Sequence, residues 1–144
     1  MRKGTAYHEA GHAVAALVLS ADDVSATIEA NEEFLGRADY SHPGAAPASR
    51  AIIVCAGPMA AWRVLPDDDD RKDCIEGRDA ERLFKFVHQI DPDPDEEKPT
   101  VIALMRLADE LLDEHWPSVV RVAEALLKNT SLNAAELLSL HTEH

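Results

Sequence analysis

At 144 residues and 46% apolar content, the chain has the length of one domain and enough hydrophobic mass to bury a core. Its formal net charge of -13 speaks against a phosphate-binding surface or an anionic membrane as partner, because both would repel it. Two cysteines, Cys55 and Cys74, are too few for a disulfide scaffold and lack C-x-x-C spacing, and no run reaches the ~18 to 20 apolar residues needed to span a bilayer.

Aromatics make up only 5% of the chain, so the core is expected from Ala, Leu and Val, which suits packed helices. The first helix is expected over residues 5–19, with Ala6, Ala10, Ala13, Val14, Leu17 and Val18 on one face and "SADD" as its stop. The opening "MRK" before "AVAALVLSA" mimics a short signal peptide, but cleavage would discard His8, Glu9 and His12, so a cytoplasmic chain is expected. "VSATIEA" (24–30) alternates apolar and polar and predicts a half-buried strand. That strand is either an edge for an extended peptide or part of a hairpin that covers the core. "LGRADYS" (35–41) is a weaker second strand, closed by the turn residues "HPG".

A second helix is expected from Pro47 to Leu65 with a break or kink at Gly57-Pro58, where proline frees the carbonyl of Val54. Cys55 in "IIVCAG" fits a small core residue. "PDDDDRKD" (66–73) is an acidic loop without the spacing of a calcium site. A third helix is expected over 78–90, with Ala80, Leu83, Phe84, Val87 and Ile90 on one side. After the proline-stiffened linker 91–99 come helices over 100–115 and 117–128, with Trp116-Pro117 as their boundary. A short last helix opens with the capping-box pair Asn133 and Glu136.

The chemistry concentrates in "AYHEAGHAVAAL". Residues four apart share a helix face, so His8 and His12 can present both imidazoles to one ion, with Glu9 beside that face. This is the HExxH arrangement of two zinc ligands and a general base, the base taking a proton from water that zinc has made acidic. With seven His in the chain, composition alone gives about 0.03 chance matches to such a pattern. Gly11 inside the same helix costs ~1 kcal/mol relative to alanine, so something must need its missing side chain.

A catalytic zinc requires a third protein ligand. His42 lies in a turn, His88 off an apolar stripe, His115 at a helix end, and His141 and His144 in the tail. A carboxylate from the stretch Asp67 to Glu81 is the better candidate. Asp73 and Glu76 precede the third helix, whereas Asp79 sits at its entry, anchored by Ala80 and Leu83. Glu76 and Glu81 stay open as ligands of a different HExxH enzyme, a regulatory protease that cuts a specific partner. A zinc-stabilised interaction module without catalysis is a further alternative.

"AYHEAGHAVAAL", "LGRADYS", "AIIVCAGPMAAW" and "GRDAERLFKF", in that order, resemble the peptidase domain of the FtsH-type ATP-dependent zinc metalloproteases. The resemblance covers nearly the whole chain as one domain, 1–144, with "HEAGH" its most specific piece. It implies a mostly helical α+β fold of zincin type, with a small β-hairpin and a C-terminal helical bundle. It also implies one zinc per chain held by His8, His12 and Asp79, Glu9 as catalytic base, and a polypeptide substrate. The family's membrane helices and AAA+ ATPase module have no counterpart in these residues, Trp62 stands where the family usually has glutamate, and Pro58 replaces a helix-continuing residue. A separate ATPase or self-association is the implied partner, with no nucleic acid and no membrane segment.

Overall fold

A computed structural model describes residues 2–31, 33–66 and 75–143. The expected mostly helical α+β architecture is what these residues form. Helix α1 (Arg2–Val18) starts earlier than its apolar pattern suggested and ends where Ser20 takes a φ of 69°. Ala6, Tyr7, Glu9, Ala10, Gly11 and Ala13 to Ala16 are all buried, so α1 is enclosed on most sides rather than along one stripe. Its many alanines permit this, because a thin helix can take neighbours close on several faces.

Strands β1 (Asp22–Thr27) and β2 (Arg37–Ser41) pair antiparallel, with Ala26 opposite Ala38 and Thr27 opposite Arg37. Val24 and Ala26 point into the core, as their alternation required. The expected two-stranded hairpin gains a third strand, β3 (Ser131–Leu132), and the sheet order is β2-β1-β3. The central position of β1 corrects the idea that "SATIEA" is a free edge. Its two sides are taken by β2 and β3, which are the outer strands.

Helix α2 (Pro47–Trp62) runs through Pro58 without the expected break and stops short of Leu65. Proline removes one hydrogen bond from a helix, but Ala56, Gly57, Pro58, Ala60 and Ala61 are all buried, and packing holds the turn in place. Gly11 finds its reason here. A Cβ on it would overlap the carbonyl oxygen of Ala56 and come 2.7 Å from the Cβ of Ala60. The glycine lets α1 and α2 meet backbone to backbone.

Helix α3 (Gly77–Ile90) buries Leu83 and Val87. Phe84 and Ile90, expected on the same side, are each 40% exposed, and Phe86 packs inward instead. Helix α4 (Glu97–Asn129) spans both helices expected around Pro117, bent at His115, whose φ of -111° and ψ of 16° leave the helical region. Proline two residues on disfavours a straight path, and the kink replaces a full interruption. Trp116 stacks on Tyr7 at 5.6 Å beside that kink. Helix α5 (Ala134–Thr142) begins with the expected capping box, in which Asn133 accepts from the Glu136 N–H and Glu136 accepts from the Asn133 N–H.

Two apolar clusters result among the described residues. The larger joins α1, β1, α4 and α5, and the smaller joins α3 to the first half of α4, with α2 contributing to both. Cys55 is buried in the smaller one, whereas Cys74 and the acidic loop from Asp67 to Asp73 lie outside the described residues. Among the described residues, no helix is long and apolar enough to cross a membrane.

Candidate functional site

The second and third turns of α1, the middle of α2 and the first turn of α3 meet at one point. His8 and His12 project from α1 with their Nε2 atoms 3.1 Å apart. Asp79, in the first turn of α3, places Oδ2 2.8 Å from His8 Nε2 and 3.4 Å from His12 Nε2. Neither Glu76 nor Glu81 takes this place. Glu76 lines the adjoining cleft, and Glu81 is exposed on α3. Asp73 lies outside the described residues.

The three donor atoms form a triangle that protons cannot satisfy on all edges. His12 Nδ1 lies 2.8 Å from the carbonyl oxygen of Ile53, which only accepts, so Nδ1 carries a hydrogen. If His12 is neutral, its Nε2 is a bare lone pair facing the Asp79 oxygen. If both Nε2 atoms are protonated, two N–H groups meet across 3.1 Å. If His8 Nε2 accepts from His12, it sets its own lone pair against Asp79. One cation at the centre would satisfy all three atoms together. Donors bound to zinc at ~2.0–2.1 Å in a tetrahedron lie roughly 3.3 Å from one another, close to the observed spacings. The imidazole, imidazole and carboxylate set therefore fits a three-ligand zinc site. His8, Glu9 and His12 also bring their ligand atoms within 4.8 Å of one another, as a metal-binding group would.

The supports are as specific as the donors. The Ile53 carbonyl fixes the His12 tautomer so that Nε2 faces Asp79. Gly57 lies against the same ring, and a Cβ there would overlap Nε2 and Cε1 and stand 2.6 Å from Cδ2. Sequence reasoning passed over Gly57 as part of a helix break. Its small size between apolar neighbours is the signal, but only the packing of α1 on α2 gives it a meaning.

Burial opposes the charged form of His12, but the hydrogen bond and charge of Asp79, the charge of Glu9 and the Ile53 carbonyl outweigh it and push its pKa up to about 9. Burial also works against the Asp79 carboxylate, yet the two histidines hold it well below the usual carboxylate range. Glu9 is 7% exposed. Burial raises its pKa, and His12, His8 and Arg82 only partly offset that rise.

The other histidines are engaged elsewhere. His42 Nε2 donates to the Leu19 carbonyl at 2.7 Å, and His88 pairs with Glu97 at 2.7 Å. His141, expected in a tail, sits in α5 with Nδ1 2.8 Å from Ser118 Oγ, its ring 5.7 Å from that of His115. His144 is outside the described residues.

A cleft of about 470 Å³ opens over the centre, with β2 along one side and α3 along the other. His8, Glu9, His12 and Asp79 all line it. Comparison with known proteins finds no family model that matches the chain and no curated protein that matches it.

Proposed function

We propose that this chain is a zinc-dependent metalloendopeptidase acting on unfolded or flexible polypeptides, as its resemblance to the FtsH-type peptidase domain implies. The observation that carries the proposal is the convergence of His8 Nε2, His12 Nε2 and Asp79 Oδ2 on one point at the floor of an open cleft. These three residues would hold the zinc, which would supply a bound water acidic enough to attack a peptide carbonyl near neutral pH.

The remaining work falls to the chain. Glu9 lines the cleft within 4.8 Å of the two imidazoles, and with Asp79 as the third ligand its carboxylate is left to take the proton of the attacking water. Its burial-raised pKa suits a group that must next give that proton to the departing amine. The outer strand β2 offers Arg37 to Tyr40 along the cleft, where an extended substrate can add as a further strand. The open cleft favours an enzyme over an interaction module that merely encloses a metal. Placement of Asp79, rather than Glu76 or Glu81, on the imidazoles favours the FtsH-type ligand set over that of a partner-cutting protease. A cytoplasmic setting, with a separate ATPase or self-association delivering substrate, completes the proposal.

The test is hydrolysis of an unfolded protein by the purified chain with one equivalent of zinc, with and without chelator. Chelator-sensitive cleavage is expected. A chain that binds zinc stoichiometrically and cleaves no unfolded substrate would instead be the non-catalytic module.

A further inference from the structure

The chain carries 14 Lys and Arg against 27 Asp and Glu, yet the cleft over the candidate metal centre reverses that balance. Five of the basic residues, Arg37, Arg50, Arg78, Arg82 and Lys85, line it. The carboxylates lining it among the described residues are Glu9 and Asp79, which belong to the centre itself, and Asp39 and Glu76.

We infer that the cleft takes polypeptide segments rich in Asp and Glu, held by the basic face of α3 opposite β2. This names a substrate class for the proposed hydrolase and rests on that proposal for its setting. Arg78, Arg82 and Lys85 stand at i, i+4 and i+7, so they form one stripe along α3, with Asp79 beside it. Arg82 and Lys85 are exposed on α3 and line the cleft. Arg78 lies 4.4 Å over the Phe34 ring, a neutral partner that fixes the guanidinium without cancelling its charge. Glu33 is 3.9 Å from it, at the limit of an ion pair. Across the cleft Arg50 donates to the neutral carbonyl of His42 at 2.8 Å, whereas Arg37 is paired with Asp39 at 2.7 Å.

The overall negative charge does not work against this. At physiological salt the Debye length is about 8 Å, so a segment in the cleft responds to the side chains around it and not to the far surface. Long polyanions differ, because their phosphates would extend past the basic walls onto acidic surface. The selectivity thus favours short acidic stretches of a polypeptide over nucleic acid.

Binding tests this independently of catalysis. The zinc-loaded Glu9→Gln protein is titrated with a fluorescent peptide containing several Asp and Glu, and with the same peptide carrying Asn and Gln. Exposed ion pairs contribute little singly, but three or four together should favour the acidic peptide roughly tenfold at low salt, and high salt should erase the difference. Arg82→Gln combined with Lys85→Gln should remove most of the preference. Equal affinity for the two peptides, or competition by an oligonucleotide as effective as by the acidic peptide, overturns the inference. Wild-type turnover of the same pair reports on the hydrolase separately. If neither peptide is cleaved while the acidic one still binds preferentially, the hydrolase proposal fails and the inference of a basic, acid-selecting cleft stands.

Discussion

Gly57 and His12 touch through a space that no side chain could share. The imidazole of His12 lies where the Cβ of any other residue at position 57 would be, with Cδ2 only 2.6 Å from that point. The ring is held from the same helix by the Ile53 carbonyl, 2.8 Å from Nδ1. Helix α2 thus supplies none of the three converging donor atoms, yet it shapes and orients one of them.

That contact predicts a separation between two glycine variants. Gly57→Ala adds a methyl group that must push the His12 ring aside, while the helix itself gains up to ~1 kcal/mol in propensity. Zinc affinity should fall roughly 10- to 100-fold, as for other changes to groups that orient a ligand, while stability to denaturant in the presence of chelator changes little. Gly11→Ala meets the backbone of Ala56, which cannot rotate away, and should cost about 1–3 kcal/mol of folding stability. Denaturant titrations and zinc titrations of both proteins check this. A Gly57→Ala protein with native zinc affinity would show that His12 has another place to go.

The ligand set gives the next expectation. His8→Ala and His12→Ala should leave a protein that retains no zinc through purification, because each removes one of the three proposed donors. Asp79→Ala should weaken zinc affinity sharply and abolish proteolysis, whereas Glu81→Ala, on an exposed position of α3, should leave both nearly intact. Elemental analysis and turnover of an unfolded substrate are the measurements. Full zinc content in Asp79→Ala would move the third ligand elsewhere, with Glu9, within 4.8 Å of both imidazoles, and Glu76 on the cleft as the candidates.

Much of this was legible because it depends on local spacing. Two histidines four apart share a helix face in any fold, and Asn133 with Glu136 caps a helix wherever it lies. What was not legible depended on tertiary neighbours. Pro58 was expected to break α2, and burial of the surrounding turn keeps it helical. Phe84 and Phe86 have similar helical claims on the core, and only the position of α2 and α4 turns Phe86 inward. The contact between Asp79 and the imidazoles joins residues far apart in the chain. A helical entry position made Asp79 a candidate, but no periodicity could bring α3 to α1. The third strand was missed because Ser131–Leu132 is too short to carry an alternating pattern.

Glu9→Gln should bind zinc as the wild type does and lose hydrolysis. With His8, His12 and Asp79 as the proposed ligands its carboxylate is not required as a donor, and an amide cannot take up the proton of the attacking water. General-base loss typically costs 10²–10⁴-fold in rate, so residual turnover should fall at least about a hundredfold. Turnover measured on protein of verified zinc content decides this. Undiminished activity would remove Glu9 from the base role.

The last prediction concerns pH, where folding and zinc binding should respond in opposite directions. His12 is pushed up to about 9, chiefly against burial by the Asp79 hydrogen bond, from an ordinary value of 6.5. A raised histidine pKa stabilises the fold fully below 6.5, and the contribution fades as pH rises towards about 9. Asp79 is shifted the other way, so its contribution is complete above its ordinary value of 3.8 and is lost only in stronger acid. With chelator present, the pair should therefore stabilise the protein most between 3.8 and 6.5, and stability should decline from 6.5 to about 9. Zinc demands the neutral imidazole, and its binding must expel the proton that Asp79 holds on His12. Zinc affinity should accordingly climb across the same interval in which the chelated protein loses stability. Thermal unfolding with chelator and zinc titration, each followed over that pH range, test the two halves. Asp79→Asn supplies the control, since removing the carboxylate should flatten the stability decline. Zinc affinity that is flat across the interval would show that His12 is already neutral there, and hence that its coupling to Asp79 is weaker than their 3.4 Å contact implies.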